Sequence, residues 1–162
     1  MKKNTFTAQS GFTLIELLIV IAIIGILSAI IMANFVGIRE RARDATRKSD
    51  LRQIQSALEL YRADANDGTY PAIGSGNFFV ACGSQFDGGG PGTPVYMKSV
   101  PCDPLGASAF NDGNYYYYPT AGNTAYTLYA CLENANDNTE NTIDPSGGPA
   151  GCEGRLYKLQ NP

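Results

Sequence analysis

An apolar run over residues 12–38 sets the first limit on this chain. Within residues 17–33 the only polar side chain is Ser28, and Glu16 is the one charge near the start of the run. As a helix rising about 1.5 Å per residue, this segment reaches roughly 40 Å, enough to cross a hydrocarbon core of about 30 Å. A cleaved secretory signal fits poorly, because the run is longer than the core of such a signal and Ile31 stands where a small residue is wanted before Ala33. No cysteine offers a lipoprotein site there. The segment is therefore expected to be retained.

Charge is distributed unevenly around this run. The formal total of −3 gives no reason to expect a nucleic-acid partner. Lys2 and Lys3 precede the run, while Arg39, Arg41, Arg43, Arg47, Lys48 and Arg52 follow it among Glu40, Asp44 and Asp50. Flanking charge alone leans toward placing the larger, second cluster inside the cell. The chain has no histidine and no tryptophan. Imidazole acid–base chemistry, a Ser-His-Asp triad and histidine metal ligation are thereby excluded.

Cys82, Cys102, Cys131 and Cys152 lie in a stretch rich in Gly, Asn, Asp and Pro. Outside the cytoplasm an even, widely spaced set of this kind reads as two disulfides, with three connectivities open. A four-cysteine zinc site competes less well, since no C-x-x-C pair sets ligand geometry.

Glu16 needs its own account, because an acid inside an apolar span is costly and is usually functional. The stretch "SGFTLIELL", in which Gly11 is followed by Phe12, Thr13, Leu14, Ile15 and Glu16, resembles the prepilin cleavage and methylation motif of type IV pilins and type II secretion pseudopilins. The resemblance implies that a prepilin peptidase in the membrane cuts after Gly11, removes residues 1–11 on the cytoplasmic side and methylates the new amino group of Phe12. It also implies an orientation with the amino terminus inside and the remainder outside the cytoplasm. The positive amine and the orphan N–H groups of the helix start would then favour an ionised Glu16. In the family this carboxylate meets the amine of a neighbouring subunit, which makes Glu16 an assembly residue and not a catalyst.

Beyond Ile38 the helical pattern continues, and no proline interrupts residues 12–66. Leu51, Ile54, Leu58 and Tyr61 form an apolar stripe, with Ala42, Ala45 and Ala57 adding small contacts. One helix of up to about 80 Å is expected, half in lipid or a filament core and half under a globular head. Asn66, Asp67 and Gly68 end it. The basic residues of its polar face read as solvated surface or as partners of other subunits. The family helix commonly carries a proline near the position of Ala33; without it, Gly25 and Gly37 are the weak points of this segment.

The head reads as a small antiparallel sheet. Strand-like stretches are "GNFFVAC" (76–82), "YYYYP" (115–119), "AYTLYACL" (125–132) and "GRLYKL" (154–159), with "TAGNT" as a hairpin loop and "DGGGPG" as a turn. Tyr126, Leu128, Ala130 and Leu132 share one face that can pack on the helix stripe. The tyrosine run invites a carbohydrate platform or an electron path, but tyrosine is also a good strand former with a polar tip for a half-buried sheet. Both "YMKSVPCDPLG" (96–106) and "ALELYRADANDGTYP" (57–71) resemble segments of the major pseudopilins. The fold class expected is α+β and pilin-like, with a leader at 1–11, a transmembrane or filament-core helix half at 12–38, an amphipathic half at 39–66 and a β head at 67–162.

Major pseudopilins bind calcium in a carboxy-terminal loop. The oxygen-rich stretch between Cys131 and Cys152 offers Glu133, Asn134, Asp137, Asn138, Glu140 and Asp144 as partial ligands. EF-hand spacing is absent and the family loop does not match residue by residue, so a solvated loop competes with calcium, and no other cofactor is implied. A Cys131–Cys152 bridge resembles the disulfide-bounded loop of type IV pilins and leaves Cys82–Cys102 as the second pair. It would close about 22 residues, for roughly 3 kcal/mol in the chain-entropy picture.

The resemblance implies a filament subunit of the bacterial inner membrane that polymerises with copies of itself and other pilin-like subunits. Its further partners would be the peptidase, an assembly platform protein and an ATPase. The preferred branch is a type II secretion pseudopilin in a periplasmic filament. The alternative is a surface type IV pilus subunit for adhesion, twitching motility or DNA uptake, the last being the one setting with a nucleic-acid partner. A membrane-anchored enzyme or binding protein is the remote reading, because no carboxylate spacing supplies a reaction.

Overall fold

The computed structural model describes residues 11–72, 80–89, 92–137, 142–143, 152 and 155–162. It divides into two units, Met1–Ile38 and Arg39–Pro162. Helix α1, Leu14–Asp64, runs 51 residues, two residues shorter at each end than the sequence suggests. At its carboxy end Gly68 takes the left-handed conformation with φ 64°. Arg62, in the last turn, donates to the Gly68 carbonyl at 3.1 Å.

Within the second unit, the carboxy-terminal half of α1 packs on a four-stranded antiparallel sheet. Its strands are β3 (Tyr116–Pro119), β4 (Tyr126–Leu132), β5 (Thr142–Ile143) and β6 (Arg155–Gln160), in the order β3-β4-β6-β5. Burial alternates along β4, so Tyr126, Leu128, Ala130 and Leu132 all face the core. They join Leu51, Ile54, Ala57 and Leu58 from the helix and Tyr117 and Tyr157 from the flanking strands. The tyrosine run splits by the same period of two. Tyr115 and Tyr117 are buried, with hydroxyls donating to Asp50 and to the Pro71 carbonyl, each at 2.7 Å. Tyr116 and Tyr118 are half-buried and stack with ring centroids 6.0 Å apart.

Two strand features escape a periodicity argument. A hairpin of β1 (Phe86–Asp87) and β2 (Val95–Met97) places Phe86 on Tyr61 and Tyr96. Strand β5 extends the sheet from inside the stretch read as loop. Two or three residues carry no period, and these strands exist only because a partner offers hydrogen bonds. The expected strand at 76–82 lies mostly outside the described residues.

Between β2 and β3 the chain makes two 3-10 turns, Gly106–Ser108 and Phe110–Gly113. Gly113, at φ 83°, accepts the Asp103 N–H at 2.9 Å, and a Cβ on it would lie 2.9 Å from the Gly106 carbonyl oxygen. Only glycine fits there. The turn holds Asp103 toward α1.

Candidate filament-assembly site

Thr13 is the N-cap of α1. Its carbonyl accepts the Leu17 N–H at 3.3 Å, and its hydroxyl oxygen accepts the Glu16 N–H at 3.3 Å. Glu16 reaches back, with Oε2 accepting the Thr13 N–H at 2.9 Å and the Thr13 hydroxyl at 2.7 Å. This reciprocal pattern is a capping box, which satisfies orphan donors at the helix start and puts negative charge at its positive end. Sequence reasoning singled out Glu16 and missed the role of Thr13. The signal was present, a T-x-x-E spacing directly before an apolar run.

Gly11 and Phe12 precede the helix and are exposed; Phe12 keeps 87% of its surface open. The span Leu14–Met32, 19 residues, is long and apolar enough to cross a membrane, and none of it is buried. Leu17, Leu18, Ile19 and Val20, which point to four different sides of the helix, are all exposed. A helix apolar on every side requires lipid or other helices around it.

The head holds a second arrangement, made by charges. Arg47 is 2% exposed. Its Nε and Nη2 grip both oxygens of Asp103 at 2.6 and 2.8 Å, while Nη1 donates to Asp44 at 2.7 Å and to Glu133 at 2.6 Å. Arg43 Nε donates to Glu133 Oε1 at 2.7 Å, and Arg43 Nη2 donates to Glu133 Oε2. Lys48 donates to Asp137 at 2.6 Å. Asp44 accepts the backbone N–H groups of Glu133 and Asn134 at 3.0 and 2.9 Å.

Burial works against the Arg47 charge, yet the hydrogen bonds to Asp103 and Glu133 keep it firmly protonated. Hydrogen bonding from Arg43, joined by Arg47, holds the Glu133 carboxyl below the usual carboxylate range. Asp50 goes the other way: burial raises its pKa, against the Tyr115 hydroxyl that donates to it.

The reading of these basic residues as solvated or intersubunit is corrected for Arg43, Arg47 and Lys48, which turn into their own head. Asp44 and Arg47 fall on the line of Leu51, Ile54, Leu58 and Tyr61, seven and four residues before Leu51. Extending the stripe backward would have found them.

Disulfides join Cys82 to Cys102 and Cys131 to Cys152, with Cα atoms 4.9 and 5.7 Å apart. Of the oxygens proposed for calcium, those that are described are already engaged by other groups. Both Glu133 oxygens and one Asp137 oxygen are spent on helix cations, and Asn134 Oδ1 accepts the Asn136 N–H at 3.1 Å. Among the described residues no group of three or more His, Cys, Asp or Glu side chains is arranged to hold a metal. Asn138, Glu140 and Asp144 lie outside those residues.

The prokaryotic N-terminal methylation motif matches residues 6–32. Over 106 residues the chain is 37% identical to type II secretion system core protein G of Aeromonas hydrophila, spanning 60% of this chain and 68% of that protein. The same-named protein of Pseudomonas aeruginosa is 32% identical over 103 residues, 60% of this chain and 69% of its own length. That of Escherichia coli is 30% identical over 105 residues, with coverages of 60% and 68%. No solved structure matches the chain. With the methylation motif lying over the capped, unburied helix start, and with relatives matched over two thirds of their length, the chain belongs to the type II secretion system core protein G family of pseudopilins.

Proposed function

We propose that this pseudopilin is cleaved between Gly11 and Phe12, N-methylated on Phe12, and moved from the inner membrane into a secretion filament by a handover of Glu16. The observation that carries the reading is the Glu16 carboxylate, anchored by Thr13 at the first turn of a helix whose apolar span Leu14–Met32 is entirely unburied. In the membrane the capping box gives the carboxylate two donors from its own chain. In the filament the new amine of a neighbouring subunit's Phe12 supplies a full opposite charge. Pairing the two removes a charge from apolar surroundings on each side. The exposed Gly11–Phe12 bond suits a peptidase acting ahead of the helix.

The head then stands outside the cytoplasm, where its two disulfides persist. Assembly requires further copies of this chain, other pilin-like subunits, a prepilin peptidase, a platform protein and an ATPase. The filament drives protein secretion. The test is Glu16→Ala in cells, with filaments recovered by shearing and the amino terminus read by mass spectrometry. The variant is expected to keep a cleaved, folded subunit in the membrane and to form no filaments. Normal filament yield from Glu16→Ala, or an intact Met1 in wild-type filaments, overturns the proposal.

A further inference from the structure

The stretch that leaves β4 at Glu133 is tied to one face of α1. Arg43, Arg47 and Lys48 donate to Glu133 and Asp137, and Asp44 receives the Glu133 and Asn134 backbone N–H groups. Together these contacts hold the Glu133 and Asp137 side chains and the backbone at Glu133 and Asn134. The Cys131–Cys152 bridge secures the same stretch at its base.

A calcium ion would do this work by gathering about six to eight oxygens from different parts of a loop. Here the gathering centre is the Arg47 guanidinium, which collects Asp44, Asp103 and Glu133 from three separate segments. A planar fork with five donors can serve three carboxylates at once. Oxygens already engaged by fixed cations would have to be released before a hard cation could use them. Lys48 reinforces the arrangement, lying over the Tyr157 ring, 5.4 Å from its centroid, while it holds Asp137.

The geometry points to a head in which the start of the carboxy-terminal loop, residues 133–137, is held by the helix cations Arg43, Arg47 and Lys48 in place of a divalent metal, so that its placement is independent of calcium. A bound ion stabilises a fold only in proportion to its concentration over its dissociation constant. Covalently supplied cations carry no such dependence. The subunit would keep residues 133–137 in place at any ambient calcium level, including in chelator.

The experiment uses the mature full-length chain in detergent micelles. Thermal melts are compared in millimolar calcium and in EGTA, and terbium, as a calcium surrogate, is titrated against tyrosine-sensitised luminescence. Glutamyl endopeptidase cleavage after Glu133 and Glu140, read on reducing gels, is followed for wild type and for Lys48→Met. The expected result is one melting temperature in both buffers, no saturable terbium signal, and severalfold faster cleavage of Lys48→Met that calcium does not slow. A saturable terbium signal displaced by calcium, a calcium-dependent rise in melting temperature, or cleavage unaffected by Lys48→Met each overturns the inference.

Discussion

Replacing Arg47 by Met removes the cation at the centre of the head while keeping a long apolar side chain in its place. The guanidinium is 2% exposed and makes four hydrogen bonds, two to Asp103, one to Asp44 and one to Glu133. Glu133 retains Arg43, Asp44 retains two backbone donors, and Asp103 retains the Leu105 N–H at 2.9 Å. Breaking a buried ion pair from one side costs about 3–5 kcal/mol, and the remaining donors place this case near about 3–4 kcal/mol. At about 4 °C per kcal/mol for a head of this size, the melting temperature should fall by about 12–16 °C.

The loss should also depend on pH. Glu133 has a lowered pKa in the folded head, so its contribution is present above the unfolded value of about 4.3 and disappears as pH falls through the folded value. In Arg47→Met the Glu133 carboxyl loses one of the two arginines that hold its pKa down. The wild type therefore weakens toward acid more than the variant does, and the gap between them narrows. Near-UV circular dichroism of the tyrosines, followed during heating in micelles, reads the head without interference from the apolar helix. Arg47→Met combined with Asp103→Asn should recover part of the loss, since the cycle removes a buried charge along with its partner. A drop below about 1 kcal/mol, the range of an exposed pair, would refute the reasoning. So would a gap that stays constant from neutral pH to pH near 4.

At the helix start, Thr13→Ala deletes the acceptor of the Glu16 N–H and a donor to its carboxylate. Losing the cap should cost on the order of 1 kcal/mol locally, seen as about fivefold faster amide exchange at Glu16 in micelles with the head unchanged. Asp50→Asn tests the opposite electrostatic case. Because burial raises the Asp50 pKa, its ionisation opposes folding as pH rises from the unfolded value of about 3.9 toward the folded one. The variant should match or exceed wild-type stability at pH 7 and lose that advantage in acid; denaturant melts at both pH values decide it.

Much of the fold is legible along the chain because it rests on periods. The apolar run specifies a span by length alone. The line from Leu51 to Tyr61 repeats every three to four residues and meets the strand face of Tyr126, Leu128, Ala130 and Leu132, which repeats every two. Thr13 and Glu16 are three positions apart, so their mutual bonding is local and readable from sequence. The same locality makes the cleavage and methylation motif recognisable, since every residue it needs is within one turn of the next.

What escaped the sequence is long-range. Arg47 finds Asp103 56 positions away and Glu133 86 positions away, and Lys48 finds Asp137 89 positions away. No local pattern records such a pairing. The three cysteine connectivities likewise became one only when β4, β6 and the turn at Asp103 brought particular sulfurs together. The amino-acid sequence by itself determined where this chain enters a bilayer and which helix face it buries, because hydrophobic periodicity is a one-dimensional property. Tertiary structure alone decided which carboxylates Arg43, Arg47 and Lys48 would clasp, because a buried charge settles only where the fold delivers its counter-charge.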